Sequence, residues 1–297
     1  MRVSRIMKIM LKLFLILLIV NVRVTLFAQS FVYERTINPA PVPKSTRFAT
    51  IAVSQFGDIY LSDIKRHELY SFDGGGKLLN VNGGFGWNEG QFDLPLDLNI
   101  SSGLNLIVAD YNNHRISRYD RKLNYLSTYP DPNTDYSLSF PRSVILTNQG
   151  ELFILSDENR EIICLRLNQK DVSMFGGVGY GEYALSDPLL IRMDDRGVIH
   201  VLEESGRIVQ FDRFGTPLGW LEVPANSAVT SLAPVGKDLV VTLRKAPHVL
   251  VYSSSQKSWM PLEVAMSKSG YLISAAYCSD KLYLLTSENR IIVYNHQ

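Results

Sequence analysis

Six stretches of the chain share one arrangement of apolar and polar positions. Each has a short apolar run, a polar turn with Gly or Asp and a second apolar run. A polar loop and a third run, closing on an aromatic or apolar residue, complete it. The most regular stretch, residues 106–120, reads LIVADYNNHRISRYD, and the first, residues 59–73, reads IYLSDIKRHELYSFD. In both, the acid that ends the second run (Asp110, Asp63) stands nine residues before an aromatic (Tyr119, Phe72). Ser156, Glu203, Leu243 and Thr286 hold that position in the other copies, and successive positions are 40–47 residues apart.

Alternating or continuous apolar runs rich in β-branched and aromatic residues are a strand signal, and no helical period follows residue 30. Gly, Asp and Asn supply the turns between runs. Four short strands with their turns occupy about 40–50 residues, which is one propeller blade. The expected fold is therefore all-β, a six-bladed β-propeller. Its blades span roughly residues 46–82, 93–128, 140–175, 187–222, 226–264 and 268–297 within one domain, residues 29–297. The run before each acid-bearing one would be the inner strand: residues 51–53, 96–100, 143–146, 189–193, 229–232 and 272–276. The last copy ends on its third strand, and the strand-like FVYERTI at residues 31–37 is otherwise unassigned. We expect it to pair with the last blade and close the ring, removing a long unpaired edge.

Residues 1–28 read as a signal peptide. Arg2, Arg5, Lys8 and Lys12 precede an apolar core at residues 13–20, and Leu26-Phe27-Ala28 offers a cleavage site before Gln29. The core is too short for a confident membrane span, so no stable membrane insertion is expected once the leader is removed. An exported location, periplasmic or extracellular, follows. Cleavage takes five cations and no anion from a chain of formal charge +1, leaving about −4. With no continuous basic stripe, nucleic acid is not expected as a partner. Cys164 and Cys278 fall in blades three and six, too far apart to bridge, and are expected as two buried thiols.

The segment 86–120 resembles the NHL repeat, whose pattern is a G-x-G-x-F-x-x-P lead-in, a strand and a V-A-D-x-x-N-x-R-I core. The matching residues are Gly90, Phe92, Pro95, Val108, Ala109, Asp110, Asn113, His114, Arg115 and Ile116. Residues 181–212 form a looser copy with Gly181, Tyr183, Pro188, Gly197, Arg207, Ile208 and Phe211. The resemblance implies a six-bladed propeller, in agreement with the six copies.

Loops between strands two and three, and between blades, emerge on one face of such a ring. The candidate binding residues there are His67, Trp87, Tyr111, Asn112, His114, Tyr136, Tyr180 and Arg244. Exposed aromatics among mixed charges suit a protein or glycan partner, since recognition resides on loops over a rigid scaffold. Phe92 and Tyr183 are expected to pack inward. Asp63, Asp110 and Glu203 read as strand-closing residues that accept loop N–H groups rather than as a metal ring. The five histidines lack ligand spacing, and no nucleophile elbow, phosphate loop or CxxC pair is present. The expected function is a non-enzymatic, monomeric recognition or scaffold module with no cofactor. The alternative is a metal-dependent lactonase or lyase in the channel, taking calcium or zinc, where Asn99, Arg142, Arg192 and Asp194 could converge.

Overall fold

The computed structural model of the protein describes residues 12, 31–101, 105–130, 137–166, 172–224 and 228–297. The expected leader, apart from Lys12, and Tyr136 lie outside the described residues. The chain forms six four-stranded antiparallel sheets. Their inner strands are Phe48–Val53, Pro95–Ser101, Pro141–Leu146, Pro188–Met193, Val229–Val235 and Leu272–Cys278. Each packs on the inner strand of the next blade, and the sixth packs on the first, so the sheets close into a six-bladed propeller. No helix among the described residues is long and apolar enough to cross a membrane.

The ring is sealed through blade six. Its inner strand is followed by Lys281–Thr286 and Ile291–His296, and the outer place is filled by Phe31–Ile37. That N-terminal strand runs antiparallel to the last one, from Phe31 opposite His296 to Ile37 opposite Ile291. Blades five and six, which lack most of the polar repeat signature, are nevertheless complete four-stranded sheets.

The core lies between blades rather than at the axis. Six apolar clusters fill the six interfaces; Ile37, Phe48, Tyr70, Phe72 and Leu285, for example, join blades six and one. Second strands such as Ile59–Asp63 and Glu151–Ser156 are buried at every position because both faces are covered. The outer strands Leu78–Gly83 and Pro217–Glu222 alternate between partly buried and exposed, because one of their faces meets solvent. The Gly74–Gly76 turn has a packing reason. Gly76 adopts φ +89°, and a Cβ there would sit 2.5 Å from Ile37 Cγ2 of the closing strand.

One irregularity recurs in all six blades. The register between inner and second strand shifts after the first pair: Phe48–Asp63, Pro95–Asp110, Pro141–Ser156, Pro188–Glu203, Val229–Leu243 and Leu272–Thr286. The residues skipped by this bulge are Ala49, Leu96, Arg142, Leu189, Thr230 and Ile273. A bulge re-aims the side chain that it displaces. All six of these residues line one mouth of the central channel.

Candidate functional site: the loop face and the two channel mouths

The acid-bearing position is a local latch. Asp63 accepts the N–H groups of Arg47, Lys65 and Arg66. Asp110 accepts from Asp93 N, Asn113 Nδ2 and Arg115 Nε, and Glu203 accepts from Ser186 N. Ser156 reverses the polarity by donating to the Ser139 carbonyl. The bonds with Arg47, Asp93, Ser186 and Ser139 tie the lead-in segment of a blade to the end of its second strand, and those from Lys65, Arg66, Asn113 and Arg115 fix the loop that follows. Burial pushes the Asp110 carboxyl above its ordinary value, against the pull of Asn113, the Asp93 N–H and Arg115. Among the described residues, no group of three or more His, Cys, Asp or Glu side chains is placed to hold a metal ion.

Several residues of the expected binding face are engaged in the fold. His67 and His114 occupy the same left-handed turn position, φ 58° and 53°. Each accepts through Nδ1 the N–H that leads into the next blade, from Leu94 and Phe140 respectively. Tyr111 donates to Asp157 Oδ2 at 2.6 Å, and burial together with that carboxylate pushes its hydroxyl up to about 12. Asn112 donates to Asp93, and Tyr180 packs edge-on against Phe211 in the core between blades three and four. Phe92 is fully buried, and Tyr183 is partly buried against that same core.

Trp87 is different. It is 74% exposed, and Phe85, two residues earlier, is 62% exposed. Their loop is held from below by Arg115, which is rooted on buried Asp110 and donates to the carbonyls of Trp87, Asn88 and Gln91. Asn113 Nδ2 donates to the Gly86 carbonyl, and the His67 ring meets the Phe85 ring edge-on at 5.1 Å. The repeat's N-x-R pair therefore fixes the backbone that presents the two aromatics.

The channel is divided at a waist. Arg192 of blade four reaches Asp97 of blade two with two bonds of 2.8 Å. Asp97 also accepts from Thr50 Oγ1, Ser143 Oγ and Val144 N, so one carboxylate joins the inner strands of four blades. Above the waist, on the loop face, is a cavity of about 410 Å³, and below it one of about 830 Å³. Asn99, Arg192 and Asp194 share the lower cavity, whereas Arg142 opens into the upper one and pairs with Asp157. The four residues expected to converge are thus split by the waist, with Arg192 alone lining both cavities.

Around the lower cavity, burial works to raise the Asp194 carboxyl. Hydrogen bonds from His200, Arg196 and the Val198 N–H outweigh it and hold the group at about 2. Cys164 is buried, but Cys278 is partly exposed and lines this cavity, contrary to the expected pair of buried thiols. It stands at the last position of the blade-six inner strand, whose final three residues are only partly buried, and packs against the edge of the core between blades six and one. Tyr277 beside it bonds His296 Nδ1 at 2.9 Å and Asp280 at 3.2 Å.

The residues missed from the sequence are Asp97, Phe85 and Arg47. A signal existed for the first: Asp97 interrupts an inner-strand run, PLDLNIS, and a carboxylate buried in a sheet needs a charged partner.

Residues 92–119 match the family model of the NHL repeat. The chain carries an NHL repeat. The match starts at Phe92 and runs through the third strand of blade two, which holds the Asp110–Arg115 pair. The Protein brain tumor of Drosophila melanogaster is 28% identical over 144 residues, 46% of this chain and 13% of that protein. The chain thus spans only a small part of the length of that curated relative. Among solved structures, selenomethionine-substituted virginiamycin B lyase from Staphylococcus aureus superposes with TM-score 0.62 at 14% identity, covering 88% of this chain and 98% of that one. A catalytically inactive variant of that lyase with quinupristin gives 0.61 at 14% identity, over 88% and 99%. A streptogramin B lyase structure gives 0.58 at 15% identity, over 90% and 88%. At such identities the likeness extends to the propeller fold alone. The NHL repeat and the propeller support a recognition or scaffold module.

Proposed function

We propose that this protein is an exported, monomeric recognition propeller that binds a protein partner through its loop face and catalyses no reaction. A glycan is the other ligand that exposed aromatics suit. The observation that carries this reading is the Phe85–Trp87 loop. Two large aromatics stand exposed on a backbone already fixed by four side-chain bonds from Arg115 and Asn113. Prior ordering lowers the entropy cost of binding, and rigid exposed aromatics are the commonest energetic centres of interfaces.

The double variant Phe85→Ala/Trp87→Ala tests it. Melting should be unchanged, because exposed side chains away from the core contribute little to stability. Affinity for the partner recovered from envelope extracts should fall by roughly 30-fold, the scale of a 2 kcal/mol anchor. Unchanged affinity would exclude this loop as the contact. A glycan-array signal lost in the same variant would keep the site and change the ligand class.

Export rests on the N-terminal segment. Protein isolated from its source cells is expected to have an intact mass that begins at Gln29. A mass that includes residues 1–28 would make it an anchored envelope component instead.

A channel enzyme of lactonase or lyase type is the second reading. It is favoured by the lower cavity of about 830 Å³, with Asp194, Asp195, Asp280 and Tyr277 around it. Stoichiometric calcium or zinc in the purified chain, together with turnover of a lactone or streptogramin, would replace the recognition reading with this one.

A further inference from the structure

We infer that the upper mouth of the channel is an oxyanion site, built to take the carboxylate or phosphate group of a small ligand or of a partner's side chain. It goes beyond the proposed contact at Phe85 and Trp87 and does not depend on it.

The upper mouth carries an excess of positive charge. Arg47, Arg142, Arg192 and Arg244 line the upper cavity, against only Asp97 and Glu204. Two of these arginines are already paired: Arg192 with Asp97, and Arg142 with Asp157. Arg47 and Arg244 have no carboxylate partner among the described residues. Asp97 has no capacity left for them, because five bonds from Thr50, Ser143, Val144 and Arg192 already converge on it. Glu204, the one carboxylate of this mouth outside that cluster, stands on blade four, beside the third cavity that it shares with Arg142, Arg160 and Asp187.

The unpaired cations share one sector. Arg47 leads into blade one, Tyr271 leads into blade six, and Arg244 follows the second strand of blade five. The Arg244 guanidinium lies 4.9 Å from the centre of the Tyr271 ring, which orients it without neutralising it. Beneath them lie Ser231 and Ser274, 1% and 3% exposed. Ser231 Oγ accepts from Ala275 N, and Ser274 Oγ accepts from Ile51 N. Each hydroxyl proton is left without an acceptor among the described residues, on the wall of the same cavity. A buried hydroxyl whose proton has no acceptor is costly unless a ligand or solvent supplies one. Two guanidinium groups that no carboxylate pairs with, above two hydroxyl donors, are the complement of an oxyanion.

The test is titration of the full chain by calorimetry, at constant ionic strength in chloride. The probes are inorganic phosphate and, separately, a short glutamate-rich peptide. Saturable binding of either supports the site, and the probe that binds tells a phosphate from a carboxylate source. In Arg47→Met/Arg244→Met that binding should weaken at least about tenfold, the loss of one or more charge-assisted bonds, with an unchanged melt because both side chains are exposed. Arg244→Lys, which keeps the charge but loses the fork, should weaken it less. Phe85→Ala/Trp87→Ala should leave it unchanged, so failure here and failure of the rim contact are told apart. No saturable binding of either probe, or equal binding by the Arg47→Met/Arg244→Met variant, would overturn the inference.

Discussion

Deletion of Phe31–Ile37 should lower the melting temperature of the whole ring by roughly 10 °C or more, or prevent folding altogether. This strand is pinned at both of its ends. Phe31 is 6% exposed, stacks on the His296 ring at 4.8 Å and belongs to the core between blades five and six. Ile37 is 3% exposed and belongs to the core between blades six and one. Between them Glu34 bonds Lys281, which draws its carboxyl below the usual value. Burial of the two apolar side chains alone contributes about 1.5–3 kcal/mol each. Domains are stable by only about 5–15 kcal/mol, and each kcal/mol moves the midpoint of a chain this size by about 2–4 °C. The deletion also strips the ladder from Ile291–His296 and leaves an open edge. If the truncated chain cannot be expressed, Phe31→Ala and Ile37→Ala measure the same seal separately, at about 3–5 and 2–5 kcal/mol. A cooperative melt that none of these changes would mean that the ring does not close through the N-terminus.

The second large effect is expected at the waist, and it should be asymmetric. Asp97→Ala strands the Arg192 guanidinium, whose side chain is 12% exposed, beside Ser143 and the Ile191 carbonyl without a counterion. Removing one partner of a buried pair costs about 3–5 kcal/mol. Arg192→Met should cost less, about 1–3 kcal/mol, because Asp97 keeps bonds from Thr50, Ser143 and Val144. The double variant Asp97→Ala/Arg192→Met should be more stable than Asp97→Ala alone, since no uncompensated charge remains. Urea melts of the four proteins give the cycle. A cost below about 1 kcal/mol for Asp97→Ala would show that the ion pair does not hold the four inner strands together.

The blades were legible in the sequence because everything that defines one is local. Strand periodicity, Asp and Gly at turns and the acid that ends the second strand all act within about 20 residues of one another. Asp63, Asp110 and Glu203 were readable as backbone acceptors for that reason. The place of residues 31–37 was readable because the last copy lacked an outer strand.

The candidate site was legible only in part. Trp87 was found because an aromatic in a long loop is visible in one dimension. The engagement of His67 and His114 was not, since each hydrogen-bonds a lead-in segment 26–27 residues away. Nor was the Asp97–Arg192 pair, which spans 95 residues and links blades two and four alongside Ser143 of blade three.

The sequence by itself determined six β-blades, their turns, their latches and the strand that closes them. Only the tertiary structure decided which side chains share a cavity. That depends on the bulge that turns Arg142 to the upper mouth, and on the alternation that sends Arg192 from the lower layer across the axis. It depends also on the ring radius that leaves Arg47 and Arg244 in one sector without a counterion. Strand periodicity says which face a residue takes, but the distance across a closed ring is set by the twist and packing of all six blades together.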